Sequence, residues 1–211
     1  MVILQSLVYN GIDMGKAEEN KSIKRNALLS HAFSLFMDKG VSCTSISDIT
    51  EHAGVGKGTF YSYFRDKDDL IQKLVAQKGE KLFLHAVNQL KKQKEMSVDD
   101  SIIFIVDDII GQLISDTKLH RFINKNLMFG AYRRAIAEGL QNDNDFLEYY
   151  YRLIEKDGDE WDEPLLMLYT IVELTGSTCH SIVLDKEPVE YEQYKPYLFK
   201  CIRSIISVYR K

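Results

Sequence analysis

The sequence is short of the features that mark secreted, membrane-bound and catalytic proteins. Its three cysteines, Cys43, Cys179 and Cys201, show no CxxC spacing, and their odd number leaves at least one thiol out of any intramolecular pairing. That argues against a disulfide scaffold and suits a reducing cytoplasm. The opening MVILQSLVY lacks a basic lead-in, is too short to cross a bilayer and runs straight into Asn10-Gly11, so neither a signal peptide nor a membrane anchor is expected. There is no GxSxG, no Walker-type loop, and no metal-ligand spacing among His31, His52, His85 and His120. Cys179 and His180 are adjacent and diverge on a helix. No metal, cofactor or enzymatic activity is therefore expected. The acidic pairs Asp99-Asp100 and Asp107-Asp108 lack a companion nucleophile motif and read as helix starts and solvated faces.

Charge of one sign is also scarce where a nucleic-acid binder would want it. The chain has 27 Lys+Arg against 31 Asp+Glu, a formal net charge of -4. Nine of each fall in residues 1–75, so the acidic excess belongs wholly to the remainder. Any grip on DNA must then come from locally placed groups rather than a basic domain. The run Lys91-Lys92-Gln93-Lys94 suits a helix C-terminus for dipole reasons alone.

What is present is helical periodicity. Hydrophobic residues make up 45% of the chain, enough for a core and too many for a disordered chain. Ile23, Leu28, Ala32, Phe33, Leu35 and Phe36 recur at helical spacing until Gly40, predicting a first helix over about 22–39. Ser45-x-x-Asp48 has the form of a capping box opening a short helix to about His52. Gly54 offers a positive-φ turn, and Lys57 to Phe64 predicts a third helix with Phe60 and Phe64 on one face. A fourth, opened by Asp68 and Asp69, keeps helical spacing to about Lys94. Ser97-x-x-Asp100 opens a helix to about Ser115, Asp116 a further one through the Leu127 to Leu140 region, and Phe146, Tyr150, Leu153 and Ile154 share another. Strand alternation of useful length is lacking. The expected fold is all-α: a loose arm over 1–20, with Met14 as a second plausible start, a three-helix DNA-binding head over 21–67 and a helical body over 68–211.

Two further helices, about 163–184 and 189–210, are divided by Asp185-Lys186-Glu187-Pro188 and predict a helical hairpin. In the last one, Tyr194, Leu198, Cys201, Ile205 and Val208 form one apolar stripe, with Tyr197, Ile202, Ile206 and Tyr209 beside it. A helix apolar around so much of its circumference has more than one surface to bury, and a second copy of the chain is the expected partner. Leu174, Tyr194, Leu198, Cys201, Ile205 and Val208 are the expected dimer contacts.

Residues 45–64 supply the parts of a helix-turn-helix: Ile49, Ala53, Val55, Phe60 and Phe64 for the buried side, and hydrogen-bonding groups on the helix that would enter a major groove about 12 Å wide. The run from Thr44 to Phe64, TSISDITEHAGVGKGTFYSYF, resembles the DNA-binding signature of the TetR repressor family, and the likeness continues through Arg65 to Leu70. It implies that Lys57, Gly58, Thr59, Tyr61 and Tyr63 lie on the DNA, that Thr44 and Ser45 touch phosphates, and that Lys67 anchors the next helix. Ser62, on the same helix, and Lys67 join the expected DNA contacts, and Thr59 and Lys57 are the first candidates for base reading. Thr50 and Gly56 stand where the family usually has alanine and serine. The resemblance further implies a homodimer on a palindromic double-stranded operator and a small-molecule effector bound in the body. Phe104, Phe122, Met128, Phe129, Tyr132, Tyr150, Trp161, Met167, Tyr169 and His180 are the candidate pocket lining, although core packing explains any single one. The Tyr149-Tyr150-Tyr151 run cannot share one helical face. A ligand-independent activator or nucleoid-type DNA binder, with the body serving only to dimerise, is the alternative.

Overall fold

A computed structural model describes the backbone of residues 2–127, 145–156 and 158–211 and the side chains of 20–124, 147–156 and 158–211. Two compact units divide at Leu74, a few residues beyond the boundary expected from sequence and inside a helix. Among the described residues all regular structure is helical, apart from one isolated antiparallel bridge between Trp161 and Arg210.

The first unit holds α1 (Val2–Lys39), α2 (Ile46–His52), α3 (Lys57–Tyr61) and the opening of α4 (Lys67–Leu90). The backbone of α1 is helical from Val2, twenty residues before the expected start. Gly40, at φ 85°, ends it, as a residue without a Cβ can. Ile23, counted in the apolar pattern, is 58% exposed; the buried face of α1 is Leu28, Leu29, Ala32, Leu35 and Phe36. Ser45 caps α2 by a reciprocal pair of bonds: its hydroxyl accepts from the Asp48 N–H at 3.1 Å, and the Asp48 carboxylate accepts from the Ser45 N–H at 2.8 Å. Ile49 from α2, Phe60 from α3, Phe64, and Leu70, Ile71 and Leu74 from α4 complete this small core. Fully burying each large apolar side chain is worth roughly 1.5–3 kcal/mol, which holds α2 and α3, two short helices that could not persist alone.

The second unit contains the rest of α4, then α5 (Val98–Ser115), α6 (Thr117–Leu127), α7 (Asp145–Ile154), α8 (Pro164–Leu184) and α9 (Tyr191–Tyr209). Ser97 caps α5, and the Asp116 carboxylate accepts from Leu119 N–H at 2.9 Å to open α6. The region 128–144, where the helix after Asp116 was expected to continue, lies outside the described residues. α8 and α9 pack as the expected hairpin and share a core of Met167, Leu168, Ile171, Cys179 and Ile182 with Tyr191, Leu198, Ile202 and Ile206. The chain end is clasped to the loop before α8: Asp162 N–H donates to Tyr209 at 2.8 Å, Lys211 N–H to Glu160 at 3.0 Å, and Arg210 pairs with Asp99 and Asp159 while lying over the Trp161 ring.

Candidate nucleic-acid interface

α3 is only five residues long, and its orientation is fixed by one side chain. Phe60 is fully buried and meets Phe64 at 5.4 Å between ring centroids. Burying Phe60 turns Lys57, Gly58 and Tyr61 outward; Tyr61 is 57% exposed, with its ring edge-on to Phe60. Thr59 is half-buried, and Ser62, just past the helix, is exposed but returns its hydroxyl to the Thr59 carbonyl at 2.7 Å. The helix ends at Tyr61 rather than Phe64, because the chain turns through Ser62 and Tyr63 into α4. Gly54, at φ 65°, makes the turn between α2 and α3. A Cβ on Gly58 would meet no protein atom within 4 Å, so packing inside the protein does not require glycine there.

Supporting bonds surround this face. The Lys67 ammonium, half-buried, donates to the Val41 carbonyl at 3.0 Å and the Thr44 carbonyl at 3.1 Å. It thereby fixes the α1–α2 turn to the start of α4, and a cation spent on two carbonyls is poorly placed to meet phosphate. Expected among the DNA contacts, Lys67 is instead a clasp. Thr44 requires a similar correction: its side chain is buried and its hydroxyl donates to the Gly40 carbonyl at 2.8 Å, so it stabilises the end of α1. Ser45 remains exposed. Thr50 is accommodated by donating its hydroxyl to Ser47 at 3.0 Å.

Two carboxylates stiffen the head. Asp48 is pulled down to a pKa of about 2 by the Ser45 N–H bond first, then by Lys39 at 2.9 Å. Burial works against the charge of Asp69, but the Arg65 N–H at 2.9 Å, with Lys73 and the Arg65 guanidinium, outweighs it and leaves that carboxyl below its usual value. Lys73 also lies over the Phe64 ring at 5.4 Å. A solvent-facing short helix carrying a lysine, a tyrosine and a bare glycine, on a rigid triangle of helices, matches what a major groove admits.

The fold and site define a helix-turn-helix DNA-binding head. Residues 28–74 match the model of the bacterial regulatory proteins of the tetR family. The uncharacterized HTH-type transcriptional regulator YvdT of Bacillus subtilis is 29% identical over 133 residues, 63% of this chain and 64% of that relative's length. The HTH-type transcriptional regulator SAB2452 of Staphylococcus aureus is 25% identical over 169 residues, 79% of this chain and 85% of the relative. A TetR transcriptional regulator from a Rhodococcus species superposes with a TM-score of 0.65 at 16% identity, covering 90% of this chain and 97% of that one; the likeness is one of fold. The head is thus similar, over residues 28–74, to the DNA-binding heads of the tetR-family regulatory proteins, and over a longer stretch the chain is similar to HTH-type transcriptional regulators.

The remaining expected residues lie in the second unit. Met128, Phe129 and Tyr132 fall outside the described residues. Met167 is fully buried in the α8–α9 core, Phe122 and Tyr150 are buried, and Phe104, Trp161, Tyr169 and His180 are half-buried. The Tyr150 hydroxyl donates to the Pro164 carbonyl at 2.5 Å and the Trp161 indole to Ile154 at 2.8 Å, so both polar ends serve the fold. Burial pushes the Tyr150 hydroxyl far above its ordinary pKa. Of the expected dimer contacts, Leu198 is fully buried in its own core and is unavailable to a second copy. Cys201 and Val208 are exposed, Tyr194, Ile205 and Leu174 half-buried, and Tyr197, assigned to the neighbouring stripe, is 66% exposed. One meeting was invisible in the sequence: His120 of α6 touches His180 of α8 edge to face, 5.7 Å between centroids and sixty positions apart. Among the described residues no three His, Cys, Asp or Glu side chains cluster to hold a metal ion, and no helix is long and apolar enough to cross a membrane.

Proposed function

We propose that this regulator is a homodimeric repressor that occupies a palindromic operator through α3 and releases it when a small molecule binds in the body. The observation that carries the reading is the outward face of α3, with Lys57, Gly58 and Tyr61 exposed over a buried Phe60. Thr59, Ser62, Tyr63 and Ser45 flank that face and are assigned to the same contact. Dimerisation is supported by the outer side of α9, where Tyr197, Cys201 and Val208 follow helical spacing and leave large apolar groups in water. The effector acts by linkage: it must bind the operator-free state more tightly, and about 1.4 kcal/mol of difference weakens DNA binding tenfold.

The test is footprinting of the full chain on DNA upstream of its own gene. Protection of two half-sites about 34–36 Å apart by two chains is expected. A single unpaired footprint, or none above random DNA, would overturn the reading. The body's segregated acidic charge favours a regulator whose DNA contacts sit in the head alone over a nucleoid-type protein that coats DNA.

A further inference from the structure

Residues 28–74 of the head carry five lysines and arginines, and three of them are committed to the protein itself. Lys39 pairs with Asp48 at 2.9 Å, and Lys67 donates to the Val41 and Thr44 carbonyls. Lys73 donates to the Tyr63 carbonyl at 3.2 Å and stands 3.4 Å from the Asp69 carboxylate. The other two are Lys57, at the start of α3, and Arg65, just beyond its end. The Arg65 side chain is 74% exposed. The backbone decides which way it faces. Past Tyr61 the helical turn carries on, since the N–H groups of Tyr63 and Phe64 both donate to the Phe60 carbonyl at 3.0 Å. Phe60 and Phe64 are buried one turn apart, and the outward row at the same spacing is Lys57, Tyr61 and Arg65. The turn stops at Arg65, whose N–H goes to the buried Asp69 carboxylate at 2.9 Å. Its guanidinium stays 3.6 Å from the other Asp69 oxygen, too far for a hydrogen bond and close enough to be steered by the charge. Lys73 shares that carboxylate, so the three side chains together keep a positive charge at this end of α3.

We propose that Arg65 binds a DNA phosphate beside the reading helix, supplying the cationic contact that Lys67, spent on two carbonyls, does not. This rests on the reading of α3 as the helix that enters the major groove and adds a residue to that interface. Residues at the start of a reading helix reach base edges. Arg65, two turns further along the same row, is set back from them towards the sugar-phosphate strand. A guanidinium keeps its charge at every working pH and presents parallel N–H groups that two phosphate oxygens can accept together. In a head whose charges sum to zero, one such contact in each chain is a large share of the electrostatic grip.

The experiment titrates the full chain, Arg65→Gln and Arg65→Lys onto two duplexes, one from upstream of the gene and one of random sequence, across a salt series from about 50 to 200 mM. Arg65→Gln removes the charge and keeps the backbone N–H that Asp69 accepts, so the melting temperature should stay nearly unchanged. Its affinity should fall about tenfold at the lowest salt on both duplexes, and the slope of log affinity against log salt should become shallower by about one unit per chain. The preference between the two duplexes should survive, because a phosphate contact carries no sequence information. Arg65→Lys should restore the slope and only part of the affinity, since the charge returns without the fork. An unchanged slope in Arg65→Gln, with or without a lower melting temperature, would overturn the proposal, as would a lost preference at constant slope. A shallower slope in Arg65→Gln when the wild-type chain prefers neither duplex supports the phosphate contact and contradicts the operator reading. An unchanged slope with the preference intact contradicts the Arg65 contact alone, and no binding to either duplex contradicts both.

Discussion

At the scale of single residues, the head is held by a few polar groups doing structural jobs that their chemistry disguises. Lys67 is the clearest: a lysine beside a DNA-reading helix invites a phosphate contact, yet its ammonium joins the Val41 and Thr44 carbonyls. Lys67→Met leaves both acceptors without their cation and should lower stability by about 1–3 kcal/mol in urea denaturation, since charge-assisted bonds lie at the upper end of the usual range. The resemblance had named Lys67 as an anchor, but residue type alone could not separate anchor from contact. The same limit applied to Thr44. His120 gives a pH prediction. Burial first, then His180 and Arg121, push its pKa down to about 4. A base whose folded pKa is depressed contributes stability that is complete above its unfolded value, about 6.5, and is lost as pH falls towards 4. The urea midpoint should therefore drop between pH 7.5 and 5, and His120→Phe should flatten that part of the profile. Asp48 and Asp69, both held below their ordinary values, are lost only at lower pH, below about 4, and do not account for a change in that window.

At the scale of elements, capping and periodicity were readable because they are local. Ser45 with Asp48, Gly40 and Gly54 each do what their positions in the sequence imply, and α2, α5 and the α8–α9 hairpin lie close to their expected limits. Ser45→Ala should remove one side of the α2 cap and lower the head's stability by about 1 kcal/mol, measured by thermal denaturation. What periodicity could not decide was which stripe of α9 faces inward. Apolar residues surround much of that helix, and only packing against α8 selects Leu198, Ile202 and Ile206, one position drawn from one expected stripe and two from the other. Leu198→Ala should accordingly cost about 2–5 kcal/mol, the usual range for a fully buried leucine, whereas Tyr197→Ala should leave folding nearly unchanged. The His120–His180 pair lay beyond any periodicity argument, because a contact between two helices sixty residues apart depends on their packing.

At the scale of the whole molecule, the proposed grip on DNA depends on two heads being joined. A neutral head with one five-residue reading helix offers few phosphate contacts, and pairing multiplies them. Val208→Asp, placed on the exposed side of α9, should shift the chain towards monomer in sedimentation and weaken operator binding together, with the far-UV spectrum unchanged. Loss of DNA binding without loss of assembly would separate the two roles.

The central claim, that the exposed face of α3 grips DNA, is tested most directly by fluorescence anisotropy of the full chain on DNA from upstream of its own gene, across a salt series, with and without Lys57→Ala. A saturable preference over random DNA is expected, with log affinity falling linearly in log salt and a slope shallower by about one unit per mutated chain in the variant. An affinity indifferent to DNA sequence, with the same salt slope in both proteins, would contradict it.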